Sequence, residues 1–164
     1  MPIVYLALGS NLGDRADNLR RALQALRAQL AVGAVSHCYE TEPAYVLDQP
    51  RFYNLAACAV TRLAPLDLLH ALKALEMTLG REPGPRFGPR VIDLDLLFYD
   101  DLVLESTELT IPHPRLPERA FVLVPLADLA PDFVHPVLGL TMAQLRDRLG
   151  DTHLLLQRVE NFKP

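Results

Sequence analysis

A chain of 164 residues, half of them hydrophobic, is long enough for one compact domain with a substantial core. A net charge of −4 argues against general binding to nucleic acid or anionic membrane, and leaves a small anionic substrate open, because local arginines and bound metal decide that. No apolar run approaches the ~20 residues of a membrane span, the first residues carry no basic leader, and the separated Cys38 and Cys58 fit small apolar side chains in a reducing cytoplasm.

Residues 3–8 form a short apolar run closed by Gly9, which predicts a buried strand. The turn from Gly9 to Asp14 leads into a helix: Leu19, Leu23, Leu26 and Leu30 recur at helical spacing, and Asp14 suits the N-cap. Residues 32–40 read as a second strand, 41–51 as a loop, and 52–63 as a third strand. Pro65 fits the first turn of a second helix with Leu66, Leu69, Leu72, Leu75 and Leu79 as its stripe, and Gly80 as its stop. After a loop at 81–90, residues 91–99 read as a fourth strand and 109–111 as a short edge strand. The remainder is punctuated by prolines, with one short helix at 141–149; the tail at 151–164 receives no task. Strand, helix, strand, strand, helix, strand is the ferredoxin-like βαββαβ order: an α+β sandwich with helices on a mostly antiparallel sheet and a Pro-rich C-terminal extension, one domain over 1–164. That fold hosts many activities, so function must come from the site.

Strand alternation sends Ile92, Leu94 and Leu96 to one face and Asp93 and Asp95 to the other, roughly 6–7 Å apart along the strand. The bland alternative is two solvated carboxylates. Aspartate is a poor strand former, however, and two in mid-strand need a reason. Arg81, Arg86 and Arg90 precede the pair within one loop. Carboxylates for a hard cation beside arginines for phosphate is the layout of phosphoryl transfer. No lysine-bearing phosphate loop of the Gly-x-x-x-x-Gly-Lys type occurs.

A second constellation surrounds the 41–51 loop: Thr41, Pro43, Gln49, and then Phe52 and Asn54 on one face of the strand that follows. An aromatic beside an amide suits a flat heteroaromatic ring, although a core Phe52 and a strand-edge Asn54 explain the same residues. Ile111-Pro112-His113-Pro114, followed by Arg119 and Phe121, adds a rigidly flanked histidine, a cation and another aromatic.

Four blocks stand in order: Gly9-Ser10-Asn11-Leu12-Gly13-Asp14, Asp48-Gln49-Pro50-x-Phe52-x-Asn54, Gly88-Pro89-Arg90-x-Ile92-Asp93-Leu94-Asp95-Leu96, and Ile111-Pro112-His113-Pro114. Together they resemble the 6-hydroxymethyl-7,8-dihydropterin pyrophosphokinases of folate biosynthesis over about residues 3–133. The resemblance implies an ATP-dependent transfer of pyrophosphate to the pterin hydroxymethyl group, releasing AMP. It implies two Mg²⁺ held by Asp93 and Asp95, with catalytic roles for Arg81, Arg86 and Arg90. It puts Thr41, Pro43, Ala44, Phe52, Asn54, Phe87, Asp93 and Phe121 around the pterin, with Phe52 and Phe121 as a sandwich. It puts Glu76, Arg81, Arg90, Leu96, Thr110, His113, Pro114 and Arg119 around ATP. The expected partners are ATP and the pterin, without nucleic acid or membrane, and the expected form is a cytoplasmic monomer or weak dimer. This chain departs from the family pattern in its 81–87 loop and at Ala44-Tyr45-Val46-Leu47, where a glycine is more usual. Three other readings stay open at this level: a non-catalytic ligand-binding domain, an RNA-recognition module, and a metal-dependent phosphohydrolase using water.

Overall fold

The sheet is built around β1 (Ile3–Ser10), which runs antiparallel to β4 (Phe52–Val60) on one side and β5 (Asp93–Tyr99) on the other. The computed structural model describes residues 1–150 and 156–164. Alternation turns Val4, Leu6 and Leu8 to one face, where they meet Leu19, Leu23 and Leu26 of α1 (Arg15–Arg27) and Leu68 and Leu72 of α2 (Pro65–Thr78). Asp14 caps α1 by accepting from the Asp17 N–H at 3.0 Å, and Pro65 occupies the first turn of α2. These elements follow the βαββαβ expectation.

The strand expected at 32–40 is broken into β2 (Ala31–Val35) and β3 (Tyr39–Thr41), which follow one another along the free edge of β4. Ser36 explains the break. Its hydroxyl accepts from the Ala56 N–H at 2.9 Å, while its own N–H donates to the Ala56 carbonyl at 2.9 Å, so a side chain replaces one ladder group. The edge strand expected at 109–111 is β7 (Thr110–Ile111), paired with β6 (Leu104–Glu105) apart from the main sheet.

The proline-punctuated stretch contains a helix that the sequence reading did not anticipate, α3 (Ala120–Leu129), with Pro125 inside it. Proline removes one helical hydrogen bond and costs about 3 kcal/mol in a helix interior. Burial offsets that: Val122, Leu123, Leu126 and Ala127 form a second core with Ala56, Leu97, Phe98 and, from α4 (Met142–Arg148), Met142 and Leu145. A bulge in β5 feeds both cores. Leu6 pairs with Leu96 and Tyr5 with Phe98, so Leu97 is the extra residue, and the strand changes face there. The far face of the sheet is thus covered at one end by α3 and α4, while its other end opens into a cavity.

Of the tail, residues 151–155 lie outside the described residues. Beyond them β8 (Gln157–Arg158) pairs with β3, and the Val159 N–H donates to the Cys38 carbonyl at 2.8 Å.

Candidate active site

The cavity floor is one row across three strands. Gly9 of β1 pairs with Asp93 of β5 on one side and with Asn54 of β4 on the other; Ala7 pairs with Asp95 and with Ala56. Strand spacing sets Asp93 and Asn54 roughly 10 Å apart at their backbones, with only Gly9 and Ala7 between them. The Asn54 amide is buried, donates to the Thr41 hydroxyl at 2.8 Å, and lies over Gly9, where an added Cβ would fall 2.5 Å from Asn54 Oδ1. Gly9 is therefore part of the site, a role the sequence reading missed; its signals were a glycine at the end of a strand and its place at the head of the first block. Gly9→Ala is expected to displace the Asn54 amide from this position, measured as a shift of its side-chain NH2 signals in an NMR spectrum.

Thr41, Ala44, Phe52, Asn54, Phe87 and Phe121 line the cavity together with Arg81, Arg86, Arg90, Asp93, Asp95, His113 and Arg119. The cavity has a volume of about 280 Å³ and opens to solvent. Phe52 and Phe121 both border it, and among the described residues their rings make no direct contact. Pro43 is buried beside Thr41 without lining the space.

Three loops are tied together beneath the site. The Asn11 side chain accepts from the Arg90 N–H at 2.8 Å and donates to Gln49 Oε1 at 3.0 Å and to the Pro50 carbonyl at 2.9 Å. Gln49 in turn donates to the Phe87 and Val46 carbonyls, both at 2.7 Å. The first glycine-rich turn is thus a structural clamp and does not face the cavity with a row of free N–H groups.

Asp93 and Asp95 point to the cavity face as alternation requires, while Ile92, Leu94 and Leu96 are in the first core. Burial, and then the charge of Asp95, push the Asp93 carboxyl up to about 6, against the pull of Arg81, Arg90 and Arg119. Burial likewise raises Asp95. Arg81 reaches Asp93 at 3.1 Å, whereas Asp95 has no ion pair among the described residues. No group of three His, Cys, Asp or Glu side chains able to enclose a metal occurs among the described residues. A half-buried, under-compensated carboxylate pair with open space beside it fits a cation whose remaining ligands are water and phosphate oxygens, the habit of Mg²⁺.

Several residues expected around ATP lie outside the cavity lining. Glu76 does not line the cavity: it is buried behind it, where it pairs with Arg81 Nη1 and accepts from the Leu94 N–H at 2.9 Å. It therefore positions Arg81 and the start of β5. Leu96 is 3% exposed in the core, and neither Thr110 nor Pro114 borders the cavity. Arg90 borders it, but its guanidinium donates to the Pro89 and Pro85 carbonyls at 2.9 and 2.8 Å, so it braces its own loop. Arg81, Arg86 and Arg119 are the arginines whose side chains serve the open space, with Arg86 lying 4.8 Å from the Phe87 ring centre.

His113 is held below its ordinary value, at about 4, by burial and by Arg119 and Arg115. At neutral pH it offers a neutral imidazole to an anion. Its ring signal is expected to stay unchanged between pH 8 and 5.5 in an NMR titration; a midpoint near 6.5 would contradict this. Because unfolded histidine takes a proton near 6.5 and the folded residue only near 4, its stabilising contribution is lost as pH falls through that window.

Residues 5–131 match the family model described as 7,8-dihydro-6-hydroxymethylpterin-pyrophosphokinase (HPPK). The chain belongs to this family. A 2-amino-4-hydroxy-6-hydroxymethyldihydropteridine pyrophosphokinase from Pseudomonas aeruginosa is 47% identical over 135 residues, which cover 81% of this chain and 83% of that protein. The folic acid synthesis protein FOL1 of Dictyostelium discoideum is 44% identical over 92% of this chain. This chain spans 23% of that protein's length, and similarly about a quarter of the other long curated relatives it matches. Wild-type HPPK-DHPS from Plasmodium falciparum, solved with SDX-DHP, has the same fold: TM-score 0.74 at 20% identity, covering 96% of this chain and 47% of that one. Among the described residues no helix is long and apolar enough to cross a membrane.

Proposed function

We propose that this HPPK-family chain transfers the β,γ-pyrophosphoryl group of ATP to the hydroxymethyl oxygen of 6-hydroxymethyl-7,8-dihydropterin, releasing AMP, with two Mg²⁺ held by Asp93 and Asp95. The observation that carries the reading is the row Asp93–Gly9–Asn54: the sheet register puts an amide for a heterocycle edge and a carboxylate pair for a cation in one cavity. The pterin oxygen forms a bond to the β-phosphorus and surrenders its proton; the bond from that phosphorus to the α–β bridging oxygen breaks, and AMP leaves with the oxygen. Bound Mg²⁺ would supply charge neutralisation on the phosphates and acidify the hydroxyl.

The chain's own residues bind and orient. Asn54, backed by Thr41, offers its amide to the pterin edge, and Phe52 and Phe121 offer ring faces on either side. Arg81 sits at the carboxylate pair, held by Glu76 from behind, and Arg86, Arg119 and neutral His113 line the phosphate end. Such a site works by positioning and electrostatics, with little covalent chemistry asked of the protein. Free Cys38 and Cys58 support a reducing, cytoplasmic setting.

The test is to incubate the protein with ATP, Mg²⁺ and the pterin and follow nucleotides. AMP formed in step with pterin consumed is expected. ADP, or AMP formed without pterin, would replace this reading with a phosphohydrolase.

A further inference from the structure

Two bulky residues over the cavity carry a left-handed backbone: Tyr45, at φ 68°, and Phe87, at φ 61°. They belong to different loops, and their rings lie against each other with centres 4.3 Å apart and planes 31° apart. The Arg115 guanidinium spans both, 5.0 Å from the Tyr45 ring centre and 5.1 Å from that of Phe87. The Tyr45 hydroxyl donates to Glu118 Oε1 at 3.0 Å and accepts from Arg119 Nε at 3.3 Å. Tyr45 is 47% exposed, so burial in a core does not explain its conformation. A left-handed tyrosine persists only where its surroundings over-determine it, and here the determinants are the facing ring and the arginines.

We infer that Tyr45 is a positioning residue that clamps the two loops over the cavity: its ring holds Phe87 in place, and its hydroxyl holds Arg119 toward the phosphate end. This rests on the reaction proposed above. Phe87 sits in a tight turn closed by the Gly88 N–H to the Pro85 carbonyl at 3.0 Å, so the clamp and the turn stand or fall together. The pterin-side loop (Thr41, Ala44) and the arginine loop (Arg81, Arg86) are then joined across the mouth of the site before either substrate arrives, which reduces the ordering that binding must impose.

Two substitutions in the full chain separate ring from hydroxyl. Tyr45→Gly accepts the positive φ without strain and should fold, while losing both contacts. Tyr45→Phe keeps the ring and loses the hydroxyl. In substrate-free protein, Y45G is expected to speed hydrogen exchange at the Gly88 amide by about fivefold or more, and Y45F to leave it within about twofold of the parent. In turnover, Y45G is expected to raise the KM for pterin about five- to tenfold with kcat changed less than about twofold, and Y45F to raise chiefly the KM for ATP. Parental exchange in Y45G, or exchange in Y45F as fast as in Y45G, would overturn the clamp. The exchange measurement needs no substrate, so it judges the clamp even if the parent chain forms no AMP; that second failure would count against the reaction instead.

Discussion

Asp95→Ala is expected to lower pyrophosphoryl transfer by at least about a hundredfold while leaving the protein folded. The magnitude follows from position. Asp95 faces the cavity, carries no ion pair among the described residues, and shares its face with Asp93, so its loss would leave the proposed Mg²⁺ with one of its two carboxylates. In metal-free protein the same substitution should raise thermal stability at pH 7. An unfolded aspartate gives up its proton near 3.8, the folded Asp93 only near 6, so the folded state holds the extra proton between those values. Stability from Asp93 therefore falls as pH rises through that window and stays reduced above it. Taking away the neighbouring charge relieves part of that penalty. A melting curve with and without Mg²⁺ reads both effects: the parent should gain stability from the cation and the variant should gain little. Turnover near the parental level would remove Asp95 from the metal site.

Phe121→Ala is expected to weaken pterin binding by roughly 1–3 kcal/mol, about 5- to 150-fold, with ATP affinity within about twofold of the parent. Phe121 stands at the start of α3 and borders the cavity, as Phe52 does, with the Arg119 guanidinium 5.5 Å from its ring centre. Titration with pterin in the presence of a non-hydrolysable ATP analogue measures the loss. An unchanged pterin affinity would sink the sandwich. A combined loss for both ligands would mean that the ring chiefly supports Arg119.

These two residues were legible in the sequence for different reasons. Asp93 and Asp95 stood out because alternation alone places them opposite Ile92 and Leu94, and because aspartate is foreign to a strand. Phe121 stood out only as an aromatic close behind His113 and Arg119, and the resemblance gave it the pterin; Pro125 disguises the helix in which it lies. The resemblance put Glu76 and Leu96 near ATP; the Glu76 side chain lies behind Arg81 and that of Leu96 in the core, because helix facing and strand parity, not proximity in a motif, decide which side chains reach the cavity. Arg90 shows the limit most plainly: nothing in Gly88-Pro89-Arg90 reveals that its guanidinium is taken up by the Pro85 and Pro89 carbonyls.

By itself the sequence determined the βαββαβ order, the helix start at Asp14, and the carboxylate pair on one face of a strand, because each depends on residues within a few positions of one another. The resemblance of its four blocks supplied the heterocycle and the nucleotide. Only the tertiary structure decided that Asp93 and Asn54 share a row across Gly9, that α3 and α4 cover one end of the far sheet face, and that Tyr45 meets Phe87 over the mouth. Those are matters of strand register and of contacts between distant segments. They are fixed by which surfaces bury one another, and no local pattern encodes them.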